Sequence, residues 1–252
     1  MQKIVTTHSF RQSVGKSTLV SNLAASLALQ GLRVGLVDTD FQGASAHLFY
    51  GLKDNQTQAT FNDYILEKCD ILKAVHDVSD RLGEPAASGK LFLVPASTQI
   101  SDIMQMLRTR LNIERYTEGL SRFEKEIGLD ILLVDTRAGL NENTMTAIAV
   151  SNTLVLVLHP DQQDFQGTAV TVDIAHKLLV PTIKLVLNDS SETLDAEEVS
   201  RQLEQTYNCG SGFILSHSEE LLALASSRPF VLAYPDHPLT KRIQTLASSL
   251  MR

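Results

Sequence analysis

The stretch Phe10-Arg11-Gln12-Ser13-Val14-Gly15-Lys16-Ser17-Thr18 holds residue types that bind phosphate. A general phosphate-binding loop reads G-x-x-x-x-G-K-[ST] and joins a strand to a helix. Gly15, Lys16 and Ser17 satisfy the second half of that pattern, whereas Phe10 stands at the position of its first glycine. In such a loop the backbone amides and the positive end of the helix dipole face the phosphates. Lys16 would give a point charge to the β and γ oxygens, and the Ser17 hydroxyl would ligate Mg²⁺. Two further segments, Val37-Asp38-Thr39-Asp40 and Leu133-Val134-Asp135-Thr136, end apolar runs in aspartate. Carboxylates at the C-terminal ends of parallel strands line the edge where ligands bind. Asp135 is placed to hold Mg²⁺ through water, and Asp38 to orient or polarise an attacking water. Asp40 reads as a structural or metal-shell residue. A lone aspartate at a strand end is ordinarily a cap or a turn residue, but three of them around a G-K-S loop exceed what turn chemistry explains.

These residues need a scaffold, and the apolar pattern supplies one. Lys3–His8, Arg33–Asp38, Leu91–Pro95, Asp130–Asp135, Thr153–His159 and Thr182–Leu187 are continuous β-branched and leucine-rich runs, with Gly212–Leu215 a weaker last one. Runs without alternation belong to strands covered on both faces. Between the first two, Lys16–Gln30 is predicted helical: Leu19, Leu23 and Leu27 recur every fourth residue beside Val20, Ala24 and Ala28, and Gly31 follows as a helix-ending glycine. Further helices are expected over Gln99–Arg110, Glu114–Ile127, Asn143–Val150, Asp164–Lys177, Ala196–Tyr207, Glu219–Ser226 and Leu239–Met251. Alternating strands and helices imply an α/β fold, a doubly wound and mostly parallel sheet with helices on both faces. Arg81–Gly89 is the best loop candidate and is too short to separate two domains, so residues 1–252 are expected to form one domain.

Composition narrows the function classes. Of 252 residues 43% are hydrophobic, too many for a disordered chain. The longest apolar runs, such as Leu154–Leu158, have strand length, and the N-terminus lacks the basic and apolar regions of a secretion signal. Secretion and membrane spanning are therefore set aside and a cytoplasmic location is expected. Lys and Arg total 22 against 29 Asp and Glu, a net charge of −7 that argues against nucleic acid as the main ligand. Cys69 and Cys209 lie far apart and are expected to be buried small hydrophobes rather than a disulfide framework. His8, beside the loop, is expected to be structural, and the scattered His76, His176, His217 and His237 have no metal-ligand spacing.

The combined motifs resemble the MinD/ParA group of P-loop ATPases across nearly the whole chain. Their deviant Walker A loop reads K-G-G-x-G-K-[ST]-[ST], and Arg11 to Thr18 aligns with it position for position. Val134–Ile148 looks like the group's Walker B and switch segment, in which Asp-Thr-Pro-x-Gly is commoner than the Asp-Thr-Arg-Ala-Gly found here. Lys184–Asp189 matches the strand whose terminal asparagine, here Asn188, reads adenine, and the segment around Tyr234–Pro238 resembles the loop that covers the base. The resemblance implies ATP and Mg²⁺ as cofactors. Gln12, Ser13, Val14, Gly15, Lys16, Ser17, Thr18, Asn188, Pro235 and Asp236 would hold the nucleotide. Ser17, Asp135 and Asp40 would serve the metal, and Lys16, Asp38 and Arg11 catalysis. It further implies a homodimer with ATP at its interface and slow hydrolysis stimulated by an adaptor protein.

Departures from the group's pattern leave two readings open. Arg11 replaces the signature lysine that reaches across the dimer; it keeps the charge but is longer and planar. Gln12 and Ser13 replace two glycines that permit φ > 0 and close approach to phosphate. One reading is an active ATPase that positions a plasmid, chromosome region or protein organelle; the other is a non-hydrolysing nucleotide-dependent scaffold. The terminal segment Leu246–Arg252 lacks the basic, bulky pattern of a membrane-targeting helix, so no stable membrane anchor is expected. Nonspecific DNA, with the nucleoid as track, would have few basic candidates: Arg228, Lys241, Arg242 and Arg252.

Overall fold

Continuous apolar strands can be buried only if helices cover both faces of their sheet. The computed structural model, which describes residues 3–53, 57, 59–83, 89–191, 194–209 and 211–251, has that form. Its strands are β1 (Ile4–His8), β2 (Arg33–Asp38), β3 (His76–Asp77), β4 (Lys90–Val94), β5 (Ile131–Asp135), β6 (Thr153–Leu158), β7 (Thr182–Ser190) and β8 (Ser211–Ser216). They lie in the order β3-β4-β2-β5-β1-β6-β7-β8. Among the described residues only the β3–β4 pair is antiparallel. The chain winds to one side of β1 through β2 to β5 and to the other through β6 to β8. The reversal of winding opens a crevice at the C-terminal end of β1, the place where open α/β sheets bind ligands.

One face carries α1 (Lys16–Leu29), α10 (Phe230–Ala233) and α11 (Pro238–Ser249), whose Leu23, Leu27, Phe230, Ile243 and Leu246 join Leu36, Leu133 and Val155 of the sheet in one apolar cluster. Because α1 lies between the sheet and α11, nearly all of it is buried, which is why its apolar residues encircle it rather than form a stripe. The opposite face has two clusters. Phe61 of α3 (Phe61–Ile65), Tyr116, Leu120 and Phe123 of α5 (Ile113–Ile127) and Ala147 of α6 (Glu142–Ala149) cover Val37, Leu132 and Val134. Val172 and Ala175 of α7 (Gln162–Lys177) and Leu203 and Tyr207 of α8 (Ala196–Tyr207) cover Leu154, Leu156 and Leu185. Gly35 of β2 leaves the room that the Phe123 ring fills, since a Cβ there would lie 2.9 Å from it.

The expected strands and helices are present, with ends within three residues of those read from the sequence. Elements without a long periodic pattern are additions: β3, α2 (Ala46–Phe49), α3 and α10, with α4 (Ile100–Arg108) and α9 (Glu219–Ala223) shorter than expected. Gly31 has φ 95°, as a helix-ending glycine should. Cys69 and Cys209 are only half-buried, because each sits at the margin of a cluster and not within it. Among the described residues no helix is long and apolar enough to cross a membrane. Residues 84–88 of the expected loop, and Arg252 among the basic candidates, lie outside the described residues.

Candidate nucleotide site

α1 begins at Lys16 with Gly15 at its N-terminal boundary, no capping side chain and no acidic residue in the first turn. The helices α3, α6, α7 and α8 are by contrast capped by Thr60, Asn141, Asp161 and Asp195. An uncapped helix start leaves free N–H donors and an unneutralised positive end, which suit an anion. Ser13 has φ 61° and Gly15 φ 90°. Ser13 thus takes the left-handed backbone that the sequence pattern assigns to glycine, and its Cβ costs about 1–2 kcal/mol there. Gln12 is exposed.

The register of the central strands assembles the acidic edge. Asp38 at the end of β2 pairs with Asp135 at the end of β5, and Thr7 of β1 pairs with Asp135 from the other side. Both carboxylates are fully buried, and Lys16 is 8% exposed beside them. Burial lowers the Lys16 pKa, while the charges of Asp135, Asp40 and Asp38 oppose that fall. Burial likewise pushes the Asp135 pKa up, helped by the Asp38 charge and opposed by the Ser17 hydroxyl and Lys16. Neither Asp135 oxygen has a hydrogen-bond partner of good geometry. Asp38 differs. Its Oδ1 accepts from the Asp40 amide at 3.0 Å, and its Oδ2 from the Ser45 and Ala46 amides at 2.9 and 3.1 Å. Burial still raises its pKa, because three amides only partly replace water. Asp40 accepts from the Gln42 and Gly43 amides through Oδ1 at 3.2 and 3.0 Å, so it also shapes its own loop.

His8 is buried at the end of β1 and hydrogen-bonded through one ring nitrogen. Thr136 Oγ1 donates to the Thr7 carbonyl at 2.9 Å and therefore accepts from His8 Nδ1 at 2.8 Å. Complete burial and the nearby Lys16 charge push the imidazole pKa down to about 3, so the ring is neutral.

The start of the loop docks on α7. Arg11 Nη1 donates to Asp161 Oδ2 at 2.6 Å, and its Nε lies 3.6 Å from Asp164 Oδ1. Phe10 packs its ring over Gly167, where a Cβ would overlap it. Sequence reading missed these two contacts. The chain therefore holds Arg11 in a contact of its own, with the side chain 39% exposed.

Asn188, near the C-terminal end of β7, donates from Nδ2 to the Val14 carbonyl at 3.0 Å, and its amide oxygen remains an acceptor. A cavity of ≈ 280 Å³ adjoins it, lined by Ser13, Gly15, Thr18, Asp189, His217, Leu221, Arg228 and neighbouring residues of 216–226. Pro235 and Asp236 are not among its lining residues; Tyr234 and His237 instead pack on Phe230, and the cavity wall comes from the segment after β8. His217 bridges Asp189 at 2.6 Å and Glu219 at 3.1 Å, and these acids raise its pKa. Of the basic candidates for DNA, Arg228 faces this cavity and Arg242 donates to the Ile214 carbonyl at 3.0 Å; Lys241 is exposed.

An uncapped loop-helix junction with a buried lysine, facing strand-end carboxylates across one sheet edge, is the architecture of a P-loop nucleotide site. A family model described as an AAA domain matches residues 2–190. The chain belongs to that family, in its MinD/ParA group. An uncharacterized ATP-binding protein of Methanocaldococcus jannaschii is 25% identical over 241 residues, 94% of this chain and 83% of that protein. The fold also matches the septum site-determining protein MinD of Pyrococcus horikoshii OT3, solved with Mg-ADP, at a TM-score of 0.79, 18% identity and coverage of 99% and 96%. A plasmid partition protein of Borrelia burgdorferi matches at 0.72, with 17% identity and coverage of 99% and 98%. The fold is thus the one the alternating strands and helices imply.

Proposed function

We propose that this protein binds Mg-ATP at the loop of residues 10–18 and acts as a slowly hydrolysing, ATP-dependent dimerisation switch. Through an adaptor protein it positions a cellular cargo, such as a plasmid, a chromosome region or a protein organelle. The observation that carries the reading is a buried Lys16 whose charge acts on a buried Asp135, an aspartate with no hydrogen bond of good geometry, at the uncapped start of α1. Relatives support it: one is named an ATP-binding protein, one holds Mg-ADP, and one is a plasmid partition protein.

The donor set fits Mg²⁺. An orphaned carboxylate beside a serine hydroxyl offers the hard oxygens that this ion takes, so Ser17 and Asp135 would hold it, with Asp40 in the surrounding shell. When bound, the ion neutralises charge developing on the transferred phosphoryl group. The chain's own residues do the rest. Lys16 and the first amides of α1 bind the phosphates, and Asn188 Oδ1 accepts from the adenine amino group. Pro235 and Asp236 would approach the base only if their segment moved over the cavity. Asp38 has about four lone-pair sites, three of them taken by backbone amides. The remaining site orients the attacking water. Arg11, once released from α7, reaches the partner subunit's nucleotide.

ATP turnover and light scattering of the purified protein, with and without nonspecific DNA, test the proposal beside Lys16→Ala and Asp38→Ala. Wild type should dimerise with ATP and hydrolyse it slowly. Lys16→Ala should lose measurable ATP binding, and Asp38→Ala should dimerise with turnover reduced by at least about 10²-fold. Unchanged ATP affinity in Lys16→Ala would refute the loop assignment. Dimerisation without turnover in wild type would favour the scaffold reading, which the substitutions at Phe10, Gln12 and Ser13 make a specific competitor.

A further inference from the structure

The apolar residues of α4 divide between two faces. Met106 is buried in the cluster that holds Val37 and Val94, and Ile103 is half-buried. Ile100, Met104 and Leu107 turn away from that cluster and are 79%, 44% and 56% exposed. Spacings of four and three residues set them in one row along the helix. Single exposed apolar side chains are ordinary on a protein surface, but a row of three on one helix marks an interaction face. The row runs into a concavity. Met106 and Leu107, in the last turn of α4, line a cleft of ≈ 380 Å³ together with Thr39 and Gln42 beyond β2 and Arg137 and Asn141 beyond β5. An occupant of this cleft would therefore touch both segments that follow the strand-end aspartates.

The charge at this end of the row is one-sided. Asp102 of α4 is taken by Lys68 at 2.7 Å, and Glu142 of α6 by Arg110 at 3.0 Å. Asp40 does not line the cleft and accepts from the Gln42 and Gly43 amides of its own loop. Arg108 ends α4 exposed and Arg137 stands half-buried in the cleft. Neither forms an ion pair among the described residues. We propose that the α4 row and its cleft receive an amphipathic helix of another protein, apolar along one face and acidic in its first turn. Laid antiparallel on α4, such a helix brings its first turn to Arg108 and Arg137, and carboxylates there also suit its own dipole. A second copy pairing through the same row would offer Arg108 only Asp102, which Lys68 already holds. A bilayer is flat and does not enter a cleft walled by two loops. The proposal goes beyond the nucleotide reading and is tested without nucleotide, so either can fail alone.

Fluorescence anisotropy of the full chain tests this with a labelled synthetic peptide of about 20 residues, long enough to be helical in water. The peptide carries leucines three and four apart and glutamates in its first turn; a second peptide carries lysines in place of those glutamates. Wild type should bind the acidic peptide at least about 10-fold more tightly than the basic one. Leu107→Ser should weaken the acidic peptide by about 10-fold or more, through lost apolar burial. Arg108→Glu should cut the preference between the peptides to about twofold or less. Both positions are exposed, and unchanged thermal unfolding would show that the variants are folded. Equal affinity for the two peptides, binding of neither, or unchanged binding by Leu107→Ser overturns the proposal. Two further assays name the other occupants. Sedimentation with phosphatidylglycerol vesicles that Leu107→Ser abolishes would make the row a membrane contact. Self-association in light scattering that Leu107→Ser abolishes would make it an interface between copies. Either result also overturns the proposal.

Discussion

Two buried carboxylates facing each other across adjacent strands, with one lysine between them and the loop, hold more negative than positive charge. Asp38 reduces its share by accepting three backbone amides, whereas Asp135 accepts none. Ionisation of Asp135 is therefore penalised, and its pKa stands above the ordinary carboxylate value because burial and the Asp38 charge both oppose the charged form. The sign of the pH effect follows. A carboxyl whose folded pKa is raised contributes stability below its unfolded pKa of about 3.9, and that contribution falls as pH rises toward the folded value. Each pH unit in that window costs at most about 1.4 kcal/mol. Asp135→Asn, which cannot ionise, should therefore gain on wild type in melting temperature between about pH 5 and pH 7 without nucleotide. The gap should close when Mg-ATP is added, because the wild-type carboxylate then has a cation. Scanning calorimetry across that range checks both; a constant difference between the two proteins would mean that Asp135 is ionised and well satisfied in the free chain.

Among the elements, α7 does more than cover β6. Its N-terminal turn receives Arg11 through Asp161 and Asp164, and its Gly167 receives the Phe10 ring. A glycine inside a helix ordinarily costs about 0.5–1 kcal/mol relative to alanine. Gly167→Ala should invert that rule, destabilising the protein by about 1–3 kcal/mol as the Phe10 ring is displaced. In the background of Phe10→Ala the same change should revert to neutral or stabilising. A double-mutant cycle by urea unfolding measures this coupling, and additive effects would show that the ring and the helix are independent. None of this contact was legible in the sequence, although Phe10 stood out there as a misfit in the phosphate-loop pattern. The sheet was legible because runs such as Asp130–Asp135 and Thr153–His159 carry their burial in their composition. Lys16, Ser17, Asp38 and Asp135 were legible because a fixed spacing and a strand end place them. The two-residue β3 and the four- and five-residue helices α2, α3 and α10 leave no periodic trace. Arg11 with Asp161, or Asn188 with Val14, joins residues 150 and 174 positions apart, and no local pattern encodes such pairs. The segment around Tyr234–Pro238, which by resemblance covers the base, does not line the cavity beside Asn188: Tyr234 and His237 pack on Phe230, and residues from 216 to 228 line the cavity instead.

Across the whole molecule, the loop, the two acidic segments and the cavity beside Asn188 open on one edge of the sheet, so a second copy meeting that edge would meet all of them at once. On the proposed reading, Arg11 is the residue whose allegiance decides how readily this happens. In the single chain it pairs with Asp161, and both side chains are about two-fifths exposed, so the pair is worth only about 0–1 kcal/mol. Across a dimer interface the same guanidinium would donate to a phosphate sheltered from water, an interaction of about 1.5–3 kcal/mol. On the proposed reading the trans contact would therefore outweigh the cis one, and the cis pair would act as a weak brake on association. Two variants should move the dimerisation constant in opposite directions. Arg11→Ala should weaken ATP-dependent dimers by about 10- to 100-fold while leaving ATP binding by the monomer nearly intact. Asp161→Asn should strengthen them by about two- to fivefold, since it removes the nearer of the two competing carboxylates, leaves Asp164 in place, and keeps a side chain that can still cap α7. Light scattering over a protein dilution series, with ATP and without it, reads both constants. If Asp161→Asn weakens dimers as Arg11→Ala does, the ion pair is an anchor that shapes the loop rather than a brake, and Arg11 acts from its place on α7.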